Sequence, residues 1–225
     1  MAEDTPSSEF YWDNIFIKVE DKLFCVPRCE FIQSSEVFAD MCLLPSGPTS
    51  AVEGRDRERP IVLEGYKKGE FACLLKVMYP TAGSLISGTN FELSLGKEEW
   101  VSVLKLSTIW NMKKIRTYAI HRLSTQAALL PMEKILLARA HKVAAWLDEG
   151  VTSLVNGVPT PELEDLTALG WETAARILWD DTARSCSSYI GPNYNVRITL
   201  GKAAKDMIEE MFGEEIKEYN DMAVA

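Results

Sequence analysis

The residues of this chain best suited to chemistry are its histidines and cysteines. A zinc site needs three or four converging Cys, His or carboxylate ligands. His121 and His141 are twenty residues apart on different predicted helices, and Cys25 and Cys29 have a three-residue gap with no second pair. The spacing therefore predicts no metal site. We expect each histidine to be a partly buried helix residue or the partner of a nearby carboxylate.

Nucleophilic catalysis and phosphate binding are also poorly supported. The chain has no G-x-S-x-G segment, which would expose a serine nucleophile on a sharp turn. Gly201 and Lys202 are followed by alanine, and the earlier glycine of a phosphate-binding loop is missing. The cysteines lie among apolar neighbours, so we expect reduced thiols in the core. We predict no catalytic residue, no cofactor and no enzymatic activity.

Composition excludes several classes of partner. The 225 residues are 47% hydrophobic, which is enough to build real cores, and 24 basic against 33 acidic residues give a net charge of −9. Phosphate contacts need clustered Lys and Arg, so we expect no nucleic acid and no membrane partner. No apolar run approaches the ~18 residues of a membrane helix, and the first thirty residues lack an apolar signal core. A cytoplasmic or nuclear location is expected.

Two strands and a helix are predicted near the amino terminus. Ile15, Ile17 and Val19 alternate with Phe16 and Lys18, so one side of an extended segment is expected to face a core. Residues 20–22 form a polar turn, and residues 23–26 form the returning strand. Pro27 ends that strand. Apolar and small residues then recur at helical spacing at Phe31, Ile32, Ser35, Phe38, Ala39 and Cys42.

Strands followed by paired helices predict an α+β protein. After a loop at 44–59 we expect a strand at 60–65, a helix at 67–79, a loop at 81–96 with a minor strand near 91–95, and helices at 97–110 and 112–123.

The rest of the chain is predicted to be mainly helical. We expect a helix at 131–147 broken by Gly150, a short helix at 151–155, helices at 160–169 and 171–183 separated by Gly170, a strand at 195–200 and a helix at 202–219. The last helix carries an apolar stripe that packs on the preceding helices or, if the helix is free, docks a partner. The stripe is Met207, Ile208, Met211 and Phe212.

This order of elements resembles that of BTB/POZ domains, which are protein-interaction modules. The resemblance depends on Asp13 ahead of a strand valine, on FCVPR and SEVF, on PIVLEG followed by FACLLKVMYP, and on WVSVLKLSTIWNMKKIRTYAIHRL. It is greatest to the fungal branch, in which Pro27 replaces a more usual histidine. LEDLTALGWETAARI resembles the BACK-like helical extension that follows many fungal BTB domains.

The resemblance implies an α+β BTB/POZ fold, with a short mixed sheet and clustered helices, over residues 10–128. A flexible amino terminus at 1–9 precedes it, and a helical BACK-like extension at 129–225 follows.

The resemblance also implies a homodimer whose seam is formed by the amino-terminal segment and the first helix. Either Asp13 or Asn14 fills the family's buried aspartate position, and Arg28 matches the basic residue that pairs with it. Helical spacing alone would assign part of this set to the core, and the aromatic triplet could equally cap its own domain. The implied seam is Phe10, Tyr11, Trp12, Asp13, Arg28, Phe31, Ile32, Phe38 and Met41.

Three functions remain open from the sequence. The first is a non-enzymatic interaction module that homodimerises and recruits other proteins. The second is a substrate adaptor of a cullin–RING ubiquitin ligase, although the family's hydrophobic-x-Glu motif has only near misses at 91–92 and 95–98. The third is a BTB-type transcriptional or chromatin scaffold, which would act only through partners because no DNA-binding segment is present.

Overall fold

The chain folds into two compact units, Met1–Ala127 and Ala128–Ala225. The computed structural model describes Thr5, Ser7 and residues 11–43, 53–82, 86–87, 90–91, 93–156, 167–175 and 200–224. The division lies one residue from the boundary expected at 128/129. The protein is α+β, with a small three-stranded mixed sheet and many helices, so the coarse fold class is confirmed.

The sheet of the first unit contains strands β1 (Asn14–Val19), β2 (Lys22–Pro27) and β3 (Ile61–Leu63) in the order β2-β1-β3. The β1–β2 pair is antiparallel and the β1–β3 pair is parallel. Ile15, Ile17 and Val19 of β1 are buried and alternate with the half-buried Phe16 and the exposed Lys18, as the sequence pattern predicts. Two further short strands, β4 (Ile86–Ser87) and β5 (Asn90–Phe91), pair with each other.

Five labelled helices complete the described part of this unit. They are α1 (Arg28–Ser34), α2 (Glu36–Leu43), α3 (Lys68–Met78), α4 (Lys97–Ile109) and α5 (Lys113–Gln126). The first two replace the single helix that apolar spacing predicts.

Ser35 separates α1 from α2. Its backbone is extended, with φ −133° and ψ 119°, and its side chain is buried. The Ser35 hydroxyl accepts a hydrogen bond from the Phe38 N–H at 3.2 Å and donates one to the Trp110 carbonyl at 2.6 Å. Ser35 therefore caps α2 and ties its start to the end of α4. The prediction of one helix was wrong because the extended backbone of Ser35, held by its hydrogen bond to Trp110, interrupts the helix.

Aromatic rings fill the core around these helices. The buried Phe31 ring has its centroid 4.8 Å from that of Phe38 and 6.2 Å from that of Phe71. Trp110 meets the Phe38 ring edge-on at 5.3 Å and the Phe71 ring at 5.9 Å. These edge-to-face and offset arrangements are favourable for aromatic side chains. The core therefore fixes α1, α2, α3 and the end of α4 to one another.

The described part of the second unit contains α6 (Pro131–His141), α7 (Ala144–Val155), α8 (Leu200–Val224) and helical residues at 167–169 and 171–175. The single predicted helix at 131–147 is two helices. The first of the two ends at Lys142, whose left-handed backbone has φ 55° and ψ 54°. Gly170, with φ 82°, turns the chain as predicted. The predicted helix start at 160–166 and strand residues 195–199 lie outside the described residues.

Gly150 does not break a helix, as the sequence suggested, but lies inside α7. A Cβ atom at this position would lie 2.7 Å from Cγ1 of Ile135 and 2.8 Å from the Pro131 carbonyl oxygen. Both distances are too short for real carbon contacts. The glycine therefore allows α7 to approach the start of α6 closely, and this non-local contact outweighs the low helix propensity of glycine.

The terminal helix α8 packs against α7. Its buried side chains are Ile208, Phe212 and Tyr219, whereas Met211 is half-buried and the side chain of Met207 lies outside the described set. The helix thus has the packed arrangement expected by default. The alternative prediction, that the stripe is free to dock a partner, is wrong because Ile208 and Phe212 are buried within their own unit.

Candidate interaction surface

The chemistry-capable residues do not converge. Among the residues that the structure describes, no group of three or more His, Cys, Asp or Glu side chains could hold a metal ion. His121 is exposed on α5, and His141 is buried at the end of α6. Within the same described ranges, no helix is both long enough and apolar enough to cross a membrane.

The cysteines depart from the expected core thiols. Cys25 and Cys29 are free and exposed, and Cys73 is half-buried. Cys25 points outward because it alternates on β2 with Phe24 and Val26, which are partly covered. Burial and the nearby Glu99 carboxylate raise the pKa of the Cys73 thiol. A raised pKa disfavours the thiolate, so Cys73 has the opposite of a nucleophile's environment. Cys42 and Cys186 have no described side chain.

A hydrogen-bonded corner fixes the amino-terminal segment beside the start of α1. The Arg28 N–H donates to the Asp13 carbonyl at 2.7 Å, and Arg28 Nη1 lies 3.4 Å from Asp13 Oδ2. Asp13, not Asn14, therefore partners Arg28. The carboxylate side chain is mostly exposed rather than buried, so the ion pair itself contributes little stability.

Tyr79 holds the same corner from the other side. Its hydroxyl donates to the Pro27 carbonyl at 2.5 Å, at the junction of β2 and α1. Burial, reinforced by Glu30 and Cys29, raises the pKa of Tyr79 well above its usual range. The phenol therefore remains a neutral donor across physiological pH. The start of α1 is thus a rigid platform.

Large apolar side chains are exposed on and beside this platform. Tyr11 and Trp12 are 72% and 58% exposed, Ile32 on α1 is 38% exposed, and Val37 on α2 is 48% exposed. We call these four residues, with the Asp13–Arg28 pair, the amino-terminal surface. The sequence analysis missed Val37. Its position next to the inward Phe38 could have revealed it, because successive helical residues point about 100° apart.

The remaining residues of the expected seam lie elsewhere. Phe31 and Phe38 are buried in the core of their own unit, as helical spacing alone indicated. The assignment of these two residues to the dimer seam, which the resemblance implied, was therefore wrong. A second copy could reach them only if this core opened. Met41 is half-buried, and Phe10 lies outside the described residues.

Comparison with known proteins adds no family assignment to this surface. No family model matches the chain, and no curated protein matches it.

Proposed function

We propose that this protein is a non-enzymatic protein-interaction module that homodimerises through the amino-terminal surface and recruits other proteins. In this proposal the first unit is a BTB/POZ-type domain and the second is a BACK-like helical extension. The elements that support it are the hairpin, the third strand from a later segment and the clustered helices, in the order that the resemblance implies.

The observation that carries the proposal is the exposure of Tyr11 and Trp12. Large exposed apolar side chains are typical of binding surfaces, and aromatic residues supply much of the energy of buried interfaces. Burying such area stabilises a complex by roughly 25 cal/mol per Å² before the cost of association is subtracted.

The polar contacts on this surface suit a closed two-fold dimer. In such a dimer each copy presents the same patch, so Trp12 and Ile32 of one copy meet the equivalent patch of the other. The exposed Asp13–Arg28 pair would lie at the rim, where charged groups set orientation more than affinity. Two copies of the second unit would then be presented together, which raises the avidity for a repeated partner.

The absence of enzymatic activity belongs to the same proposal. The raised pKa of the Cys73 thiol argues only against a cysteine nucleophile at that position.

Light scattering behind a sizing column tests dimerisation. We expect the chain to have twice the mass of one copy, and Trp12→Glu or Ile32→Glu to reduce it to one copy without unfolding the protein, because both side chains are exposed. Val62→Glu is the matched control, since Val62 is 55% exposed on β3, outside the amino-terminal surface. A monomeric parent would overturn the proposed dimer.

The same column separates the proposed scaffold from the alternative adaptor. A cullin amino-terminal domain mixed with the chain should elute apart from it. Co-elution would favour the cullin–RING adaptor instead.

A further inference from the structure

Helix α5 has a charge opposite to that of the chain as a whole. Its sequence, KKIRTYAIHRLSTQ, contains four Lys or Arg residues and no Asp or Glu, in a chain whose net charge is −9. Such a local excess creates a positive potential on a surface that otherwise repels anions.

One exposed face of α5 gathers much of this charge around an aromatic ring. The side chains lining it stand at relative positions 0, 1, 4, 5 and 8, which share one side of a helix. They border an open concave surface of about 510 Å³, which we call the basic groove. The described residues that line it are Lys113, Lys114, Thr117, Tyr118 and His121.

Both lysines of the groove are exposed to solvent. Lys114 is exposed and makes no ion pair with any residue that the structure describes. Lys113 forms an exposed pair with Glu36, with Nζ 3.7 Å from Oε1. The first turn of α5 contains these two lysines, no acidic residue and no side-chain cap. Positive charge there opposes the helix dipole. A bound carboxylate would offset the charge of the lysines and would itself interact favourably with the dipole.

Tyr118 gives the groove a fixed apolar floor. Its ring meets Trp100 edge-on, with centroids 5.4 Å apart. The Arg122 guanidinium lies 5.7 Å from the Trp100 ring and 5.8 Å from the Tyr118 ring. Arg122 is itself buried and donates to the Leu93 carbonyl at 3.2 Å. A ring held on two sides loses little freedom when a ligand covers it, which favours binding.

We propose that the basic groove docks an acidic segment of a partner protein, in which Asp or Glu residues flank an apolar side chain. The carboxylates contact Lys113 and Lys114, and the apolar side chain covers Tyr118. The inference deepens the proposed function, since it rests on the chain being an interaction module and names the chemistry of a recruited partner. It does not require the dimer.

The dimensions of the groove favour a peptide over a nucleic acid. From Lys113 to His121 the helix rises about 12 Å, which is enough for two or three charged contacts. Nucleic-acid affinity comes from many phosphate contacts along a longer track, and the net charge of −9 opposes a long polyanion.

Fluorescence anisotropy with the full chain tests the proposal. The probe is a fluorescein-labelled peptide carrying Asp and Glu around a central Leu, and the control peptide has Asn and Gln in their place. We expect only the acidic peptide to bind, and to bind less tightly as salt rises. Lys114→Glu should weaken binding about fivefold or more, because it converts one attraction into a repulsion.

Lys18→Glu is the matched control variant. Lys18 is exposed on β1 of the same unit and makes no ion pair in the described part of the chain. Lys18→Glu therefore makes the same change in charge as Lys114→Glu, but at a site outside the groove. Its affinity for the acidic peptide should equal that of the parent. Equal losses in both variants would overturn the proposal, because they would show a response to net charge alone.

Three further outcomes would also overturn it. They are failure of the parent to bind the acidic peptide, unchanged binding by Lys114→Glu, and tighter binding of a single-stranded oligonucleotide of equal charge. Light scattering on the same samples separates these failures from failure of the dimer. A mass that falls to one copy in Lys114→Glu alone would identify a second copy as the occupant and reject the partner peptide.

Discussion

The two units hold their helices by different kinds of contact. In the first, Phe31 is enclosed by the rings of Phe38 and Phe71, and charges lie outside this cluster. In the second, a charged cluster holds the terminal helix in addition to the buried side chains of Ile208 and Phe212. Arg139 on α6 donates to both carboxylate oxygens of Glu215, at 3.0 and 3.2 Å.

The charged cluster reaches three segments of the second unit. Arg139 Nη1 also donates to the Thr173 hydroxyl at 2.9 Å and to the Leu169 carbonyl at 3.3 Å. The Tyr219 hydroxyl donates to Glu215 at 2.6 Å. One guanidinium therefore joins α6, the turn at 167–175 and α8. Two-point Arg–carboxylate contacts fix geometry as well as adding energy.

Because of this charged cluster, we expect the stability of the second unit to depend on pH. Burial alone would raise the pKa of Glu215, but hydrogen bonds from Arg139 and Tyr219 outweigh it and hold the pKa below 4.5. A carboxylate with a lowered folded-state pKa contributes stability above its unfolded pKa and loses it as pH falls through the folded value. In the first unit the pKa values of Glu20, Asp21 and Glu99 are also lowered, but these carboxylates are partly or fully exposed, where solvent weakens the effect on stability.

The largest expected effect comes from emptying the aromatic core. Phe31→Ala should lower the free energy of unfolding of the first unit by about 3–5 kcal/mol, because it leaves a cavity among rigid rings. Hydrogen exchange read by mass spectrometry should accelerate in β1 and α3 and stay unchanged in α6 and α7. Equal acceleration in both units would show that they unfold together and would remove the basis of the comparison.

A smaller effect is expected from Arg139→Met, which keeps the side-chain length and removes the charge. It should cost the second unit about 1–3 kcal/mol, because Glu215, Thr173 and the Leu169 carbonyl lose their donor. Exchange should accelerate in α8 and leave β1 unchanged.

The pH profile sharpens this prediction. From about pH 5 to pH 3 the parent should lose more stability in the second unit than Arg139→Met does, because the variant no longer lowers the pKa of Glu215. Parallel curves for parent and variant would show that the guanidinium does not stabilise the carboxylate.

Substitutions at two glycines of the second unit should have the smallest effects on its stability, and the two effects should have opposite signs. Gly150→Ala should destabilise by about 1 kcal/mol, because steric overlap with Ile135 and the Pro131 carbonyl exceeds the gain in helix propensity. Gly213→Ala in α8 should stabilise by up to about 1 kcal/mol, because its nearest contact would be Glu209 Cγ at an ordinary 3.6 Å. Thermal unfolding followed by circular dichroism measures both. Stabilisation by Gly150→Ala would contradict the close approach at Gly150, and destabilisation by Gly213→Ala would contradict the ordinary contact distance at Gly213.

Local patterns in the sequence predicted the elements whose causes are local. The alternation at 15–19 and the apolar spacing of α3, α4 and α5 correspond to the observed strand and helices. Breaks with non-local causes were missed. Ser35 ends a helix by bonding to Trp110, seventy-five residues away, and Lys142 adopts a left-handed backbone without the glycine that usually signals it.

The candidate surface was predictable only in part. Exposed aromatic residues next to the first strand were identified at Tyr11 and Trp12. Phe31 and Phe38 were assigned to the seam by resemblance, but residues at helical spacing can face a core or a partner, and the sequence does not distinguish these cases. The groove on α5 was missed because a net charge averaged over the chain hides one basic helix.

The most direct test of the central claim is the mass of the chain in solution, measured by light scattering for the parent, Trp12→Glu and Val62→Glu. We predict a dimer for the parent and for Val62→Glu, and a folded monomer for Trp12→Glu. A folded Trp12→Glu protein that remains dimeric would contradict the assignment of the amino-terminal surface as the dimer interface.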